Sequence, residues 1–426
     1  MKLTRQRMIQ IVWVIILALV LSACFVFSSR KHILHLGVFA GSNWDVPGTS
    51  VYEIVDDVID RFEKSHPGVE VVYESGIRKD DYSEWLAGKL LEGELPDVFM
   101  VLDQDFSSLA RLGALKNLSP MDFVLDQEVF YPTALAAGQW EGTQYALPYE
   151  SNPQFMFVNL TLLENEGIQK PEAGWTLGDL YAISKQVTKD LDGDGHLDQF
   201  GIYNYSWQDA MEAYGKSPFS SNGREANLLD EDVQHAIEYA YQLNGLADQE
   251  TISQNDFDKD RVAFSPMSYA EYRTYKPYPW RVKKFSEFEW TIIPMPGFIE
   301  GSSSAHADSL LMSMSSRTTH VQEAWDLMTL FACDEKTQLM ISEKSQGLPS
   351  LASIQAQESS IAELDGSIVD QVMQESRAPS RFPGYDTLML LLDTQIRSQY
   401  EDAADKDIFF IDLQQYMTQA IEQTQQ

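Results

Sequence analysis

The chain has 426 residues and a formal charge of −33, with 44% hydrophobic and 12% aromatic residues. That length and apolar content suit two or more domains with sizeable cores. So acidic a body repels phosphate backbones and anionic lipid, which argues against nucleic-acid binding and broad membrane docking.

The N-terminus reads as an export signal. Met1–Arg7 is basic, Ile9–Val20 is apolar apart from Gln10, and Leu21-Ser22-Ala23-Cys24 follows. A basic start, a short apolar core and small residues before a cut site make a secretory signal over residues 1–23. The quartet resembles the bacterial lipobox, which implies that Cys24 receives a lipid and becomes the new N-terminus. Two acyl chains would hold it stably at the outer face of the membrane. A retained signal anchor is the alternative. Cys333, the only other cysteine, follows Phe331-Ala332 and reads as a lone buried thiol, although a pair with Cys24 is open.

Residues 24–31 form a tether, and His32–Ala40 reads as a first strand. Ser50-Val-Tyr-Glu53 has capping-box spacing, and Ile54, Val55, Val58, Ile59 and Phe62 then share one helical face, closed by Pro67-Gly68. Val69–Tyr73 predicts a strand, Tyr82–Leu91 a helix, Pro96–Val101 a strand, and Phe106–Leu112 another helix. This alternation argues for an α/β lobe. Glu141-Gly142-Thr143 reads as a turn. Tyr145–Asn159 carries Pro148 and Pro153, so it is expected to be an irregular extended crossing between lobes rather than a central strand. Glu150, Ser151 and Asn152 would then lie at the base of a cleft, a common place for small ligands. Helices are expected at Leu160–Glu166, from Trp175 through Val187, and at Asp230–Leu243. Strands are expected at Arg261–Phe264, Trp290–Ile293 and Leu310–Met314. Late helices follow at Val321–Phe331 and near Ile361–Met373 and Phe409–Ile421.

The order of these features resembles a family. It runs from the lipobox through His66-Pro67-Gly68-Val69, Pro96-Asp97-Val98, Gly142, Tyr145–Tyr149, Phe157-Val158-Asn159, Trp175-Thr176, Asp192-Gly193-Asp194-Gly195 and Arg261-Val262-Ala263. It is similar to the extracellular solute-binding proteins of ABC importers, the sugar-binding group related to maltose-binding protein. Two departures stand out: Phe157-Val158-Asn159 sits where tyrosine usually precedes asparagine, and Arg261 where a glycine-lysine pair is common.

The resemblance implies a type II periplasmic-binding-protein-like fold, two α/β lobes with a hinge and an inter-lobe cleft. Lobe one would be 32–146 plus about 305–332, and lobe two 150–304 plus about 347–426. It also implies a monomer that captures a carbohydrate, an oligosaccharide in the first instance, and passes it unaltered to membrane permease subunits without a required cofactor.

A sugar needs planar polar side chains and aromatic platforms. Trp44 and Asn43 follow the first strand, and Ser75-Gly76 follows the second. Asp103 follows the third, where it would accept sugar hydroxyls or cap the next helix. Glu150 is the favoured acid. Trp207 would be a lobe-two platform unless it packs in the core. Ser268 and Tyr269 follow the Arg261–Phe264 strand, and Asp308 precedes the Leu310–Met314 strand.

Asp190, Asp192, Asp194 and Asp198, with His196 offering only its carbonyl, follow an EF-hand-like calcium loop. Its twelfth position is Gly201, so the usual bidentate glutamate is missing. Structural calcium and a polar turn held by its own aspartates both remain open. Walker, zinc-histidine and nucleophile-elbow motifs are absent. Two rivals to the transport reading are a lipid-anchored glycoside hydrolase using Glu150 and Asp103, and a ligand-sensing lipoprotein for a membrane kinase.

Overall fold

The computed structural model describes residues 31–46, 51–119, 127–248, 250–275, 288–302, 306–354, 366–378 and 381–424. The export segment, Cys24 and Ser50 lie outside them. Its strands, in chain order, are β1 (His32–Gly37), β2 (Val69–Tyr73), β3 (Val98–Val101), β4 (Gln139–Trp140), β5 (Thr143–Gln144), β6 (Ala146–Asn159), β7 (Phe200–Ile202), β8 (Val262–Ser268), β9 (Trp290–Ile293), β10 (Ala307–Met314) and β11 (Leu348–Pro349). Nine of them form one mixed sheet in the order β2-β1-β3-β10-β6-β8-β7, with β9 and β11 also on β6.

The first three strands are parallel, and the helices Val51–Ser65 and Lys79–Glu92 return the chain between them. The first helix buries Ile54, Val55, Val58 and Phe62, the face read from their spacing. The second stops at Gly93, whose φ of 76° lets its N–H reach back to the carbonyls of Leu90 and Lys89. β4 and β5 form a separate hairpin whose turn, Glu141-Gly142, has positive φ at both residues. That geometry matches the twist of paired strands, and it hands the chain to β6.

β6 corrects the expectation of an irregular crossing. It is a continuous 14-residue strand at the centre of the sheet. The prolines are accommodated where the ladder changes. Pro148 lies beside a bulge, because Leu311 pairs with Pro148 and Leu310 with Glu150, leaving Tyr149 unmatched. Pro153 ends the pairing with β10, and from Gln154 onward the strand pairs with β8 and β9 instead. Proline costs little where a strand exchanges partners, because no ladder donor is needed there.

This change of partner separates two cores. Ala146, Leu147 and Tyr149 pack with β1, β3, β10 and the helix Val321–Ala332. Phe155, Met156, Phe157 and Val158 pack with β7, β8, β9 and the C-terminal helices Tyr385–Gln399 and Lys406–Thr424. Leu351 and Ile354, which the resemblance would assign to lobe two, pack in the first core, and Tyr131 and Ala134 pack in the second. Cys333 is a free, half-buried thiol at the end of Val321–Ala332, and burial pushes its pKa up to about 12.

Candidate ligand-binding cleft

Three strands meet at Glu150. It pairs with Leu310 on β10 and with Pro349 on β11, while its neighbour Ser151 pairs with Ser309 and Leu348. The Ser151 and Ser309 hydroxyls lie 3.1 Å apart. Asn152 accepts from the Ala270 N–H at 2.9 Å, in the first turn of the helix Tyr269–Tyr275. Gln338 holds the next crossing, donating to the Tyr149 carbonyl at 3.0 Å and accepting from the Ser350 N–H at 2.8 Å. The waist is therefore bonded through on both sides of Glu150.

Glu150 is only 3% exposed. Its Oε2 accepts from the Ser345 hydroxyl. Trp44 Nε1 reaches the same spot, buried but without a fully formed hydrogen bond. A Cβ on Gly347 would lie 2.6 Å from both Glu150 Oε2 and Trp44 Nε1, so only glycine fits between them. Burial raises the Glu150 pKa to about 7, and the Ser345 and Trp44 donors, the Arg273 charge and the Gly347 N–H only partly oppose that rise. Asn43, Gly41, Tyr149 and Ser345 line a small cavity with Glu150. A wider, more open groove joins Val46 of the β1 loop to Tyr203, Asn204, Met267, Glu271 and Thr274 of the second lobe.

A second cluster forms at the same edge of the sheet. Asp103 lies just past the end of β3, and Asp308 lies at the start of the antiparallel β10, so the register brings them together. Arg381 enters from the other lobe, where its neighbour Phe382 is part of the second core. Its guanidinium lies 2.7 Å from Asp103, 3.4 Å from Asp308 and 2.7 Å from Asp386. Burial and the Asp308 carboxylate raise the Asp103 pKa, and the Arg381 charge opposes them. The three acids in turn hold Arg381 firmly cationic.

Among the predicted residues, Asn43, Trp44 and Glu150 thus converge, as do Asp103 and Asp308. Ser75 and Gly76 are exposed, and Gly76 donates its N–H to Tyr52 Oη at 2.6 Å. Gly76 serves a positive φ of 88°, with open space where a Cβ would lie, rather than a close approach. Ser268 is used locally. Its hydroxyl donates to Glu271 and accepts the Glu271 N–H at 3.2 Å, a capping box for Tyr269–Tyr275. Tyr269 is buried beside Tyr272. Trp207 is a core residue rather than an open platform, and its Nε1 donates to Asp393 at 2.9 Å. Ser345, Gly347 and Arg381 escaped the sequence reading. The glycine before Leu348-Pro349 is the visible signal, since a glycine close to a proline marks an unusual backbone position.

The acidic loop closes on itself. Asp190 accepts the N–H groups of Gly193 at 2.6 Å and Gly195 at 2.9 Å, which hold its pKa below the usual carboxylate range. Asp192 accepts from the Asp194 N–H at 3.1 Å. Carboxylate oxygens of Asp190, Asp192 and Asp194 come within 4.8 Å of one another. The side chains of the other two loop residues have partners of their own, although His196 is expected to offer only its carbonyl. His196 Nδ1 faces Glu250 at 2.9 Å, and Asp198 accepts the Leu191 N–H at 2.8 Å. Position twelve has no room for a glutamate, because a Cβ on Gly201 would strike Ser184 at 2.2 Å.

Comparison with known proteins agrees with this architecture. Residues 57–364 match the family model described as bacterial extracellular solute-binding protein. No curated protein matches the chain by sequence. Among solved structures, the sugar-binding protein MalE from Xanthomonas citri superposes with a TM-score of 0.74 at 15% identity, covering 92% of this chain and 98% of that one. A cyclic α-maltosyl-1,6-maltose binding protein from Arthrobacter globiformis gives 0.73 at 15% identity, covering 92% and 99%. An ABC substrate-binding protein from Listeria monocytogenes in complex with cycloalternan gives 0.69 at 15% identity, covering 92% and 100%. The fold is thus the periplasmic-binding-protein fold. No helix among the described residues is long and apolar enough to cross a membrane.

Proposed function

Because the chain belongs to the bacterial extracellular solute-binding proteins, we propose that it captures a carbohydrate of oligosaccharide size between its lobes and delivers it to the permease of an ABC importer. It is a binding protein and not an enzyme. The hydrolase rival also lacks its second carboxylate, since Asp103 is engaged by Arg381.

One observation carries the carbohydrate reading. Glu150, Trp44, Asn43 and Ser345 gather at the waist, with an indole N–H still seeking an acceptor. A neutral polyol suits this set. Its hydroxyls both give and take hydrogen bonds, and a carboxyl group with a pKa of about 7 does the same. The oligosaccharide-binding proteins of like fold support the size class. A thermal-shift screen of oligosaccharides, monosaccharides and polyols tests it. The expected result is an upward shift for an oligosaccharide, without product and with contraction in small-angle scattering. Turnover of the glycan, or no response to any sugar, would sink it.

Two further parts of the reading stand beside it. Lipidation of Cys24 would place the protein at the outer face of the membrane, and mass spectrometry of the N-terminal peptide checks that. Calcium on Asp190, Asp192 and Asp194 would brace a lobe-two loop, and the melting temperature should then fall on adding chelator.

A further inference from the structure

Away from the cleft, at the opposite end of the first three strands, His32, His320 and Glu323 come together. Each offers one ligand atom, and these atoms lie within 4.8 Å of one another. From this geometry we propose a transition-metal site, of zinc type, formed by His32, His320 and Glu323.

The three residues are placed by separate parts of the backbone. His32 opens β1, and its N–H donates to the Gly68 carbonyl at 2.8 Å. His320 precedes the helix Val321–Ala332. Its N–H donates to Thr318 Oγ1 at 3.2 Å, and that hydroxyl donates to Asp97 at 2.6 Å. The His320 carbonyl accepts from the Ala324 N–H at 2.9 Å, which fixes the first helical turn where Glu323 lies. The two imidazoles meet edge-on, with centroids 5.2 Å apart and planes at 67°.

Among the described residues, the side chains of these three form no hydrogen bond or ion pair with any other group. Two other histidines have carboxylate partners: His66 faces Asp326 at 3.2 Å, and His196 faces Glu250 at 2.9 Å. Ligands at the usual zinc distances on a tetrahedral ion sit roughly 3.4 Å apart. Closing to that spacing needs only small rotations of exposed or half-exposed rings. Water would complete the fourth position. Two imidazoles and one carboxylate favour zinc, nickel or copper over calcium, whereas the oxygen-only Asp190 loop has the opposite preference. The site would tie the first residue of β1 to a helix nearly three hundred positions later. It would thereby brace lobe one where the chain leaves its tether, independently of solute.

The test uses the untagged full-length protein and zinc itself. Calorimetry or competition with a chromogenic chelator should show one zinc per chain, with nitrogen and oxygen ligation by X-ray absorption. Outer-shell partners alone are worth ~10–100-fold in metal affinity, so His32→Ala and His320→Ala should each weaken binding by more than about tenfold. His66→Ala and the pair Asp190→Asn with Asp192→Asn should leave it unchanged. His320→Asn, checked for native circular dichroism, separates ligand loss from misfolding. Absence of stoichiometric zinc would overturn the proposal, and so would equal zinc retention by the His32→Ala, His320→Ala double variant.

Discussion

Glu150 and Asp103 are both acids whose pKa burial raises to about 7, and the fold gives them different partners. Glu150 sits on the central strand, covered on both sides, with hydroxyl, indole and amide groups around it and no cation in direct contact. Asp103 begins a helix at a lobe edge and shares Arg381 with Asp308. The first acid is kept near neutral by lack of water, so it acts as a two-way hydrogen bonder. Burial raises the second to about 7 as well, but its partner is a cation from the other lobe, so it acts as a clasp. One carboxylate is suited to recognising a guest, the other to holding the halves together.

Arg381→Met breaks the clasp and should have the largest effect. It leaves Asp103 and Asp308 facing each other with no counter-charge. Removing one partner of a buried pair costs about 3–5 kcal/mol, and the lower end applies here because water still reaches the cluster. Urea denaturation checks the loss. Restoring stability with Asp103→Asn in the same chain would confirm that charge, not packing, is responsible. A neutral outcome for Arg381→Met would remove the contrast with Glu150.

Glu150→Gln sharpens the other side. The folded pKa is about 7 against an ordinary 4.5, so between those values the folded chain holds a proton that the unfolded chain has released. Stability from this group is therefore complete below pH 4.5 and declines as pH rises towards 7. The decline is on the order of 3 kcal/mol when complete. The glutamine variant should melt above the parent at pH 8, with the gap closing as pH falls towards 4.5. Its sugar affinity should fall at every pH. A pH-independent gap would mean that Glu150 titrates normally.

Gly347→Ala probes the same acid by crowding. Its methyl would displace the Glu150 carboxylate or the Trp44 indole, each 2.6 Å away. Overpacking of this kind costs about 1–3 kcal/mol. Calorimetry should also show sugar affinity dropping, whereas Gly76→Ala, in open space, should weaken it far less.

The unequal legibility of these groups has a physical cause. Asn43, Trp44 and Asp103 could be found because each follows a strand whose apolar run is plain, and ligands gather at the carboxyl ends of parallel strands. Asp308 enters by the same logic reversed, since β10 runs antiparallel. Ser345 and Arg381 come from returning segments far along the chain, and no local pattern records which strand they will meet. Pro148 and Pro153 misled because proline was weighed against a uniform ladder, while β6 places them at a bulge and at a change of partners.

The smallest effect is expected at Ser268. Ser268-Tyr-Ala-Glu271 has capping-box spacing, and the structure uses it as one. Ser268→Ala should cost ~1 kcal/mol through the lost cap, and leave sugar affinity unchanged by calorimetry. The last residue of a strand is a position from which a hydroxyl reaches either a ligand or the helix that follows, and the nearby Glu271 decides for the helix. A large affinity loss in Ser268→Ala, with the cap retained by Glu271→Gln, would return this serine to the cleft. The binding surface would then extend from Glu150 across the groove into the second lobe.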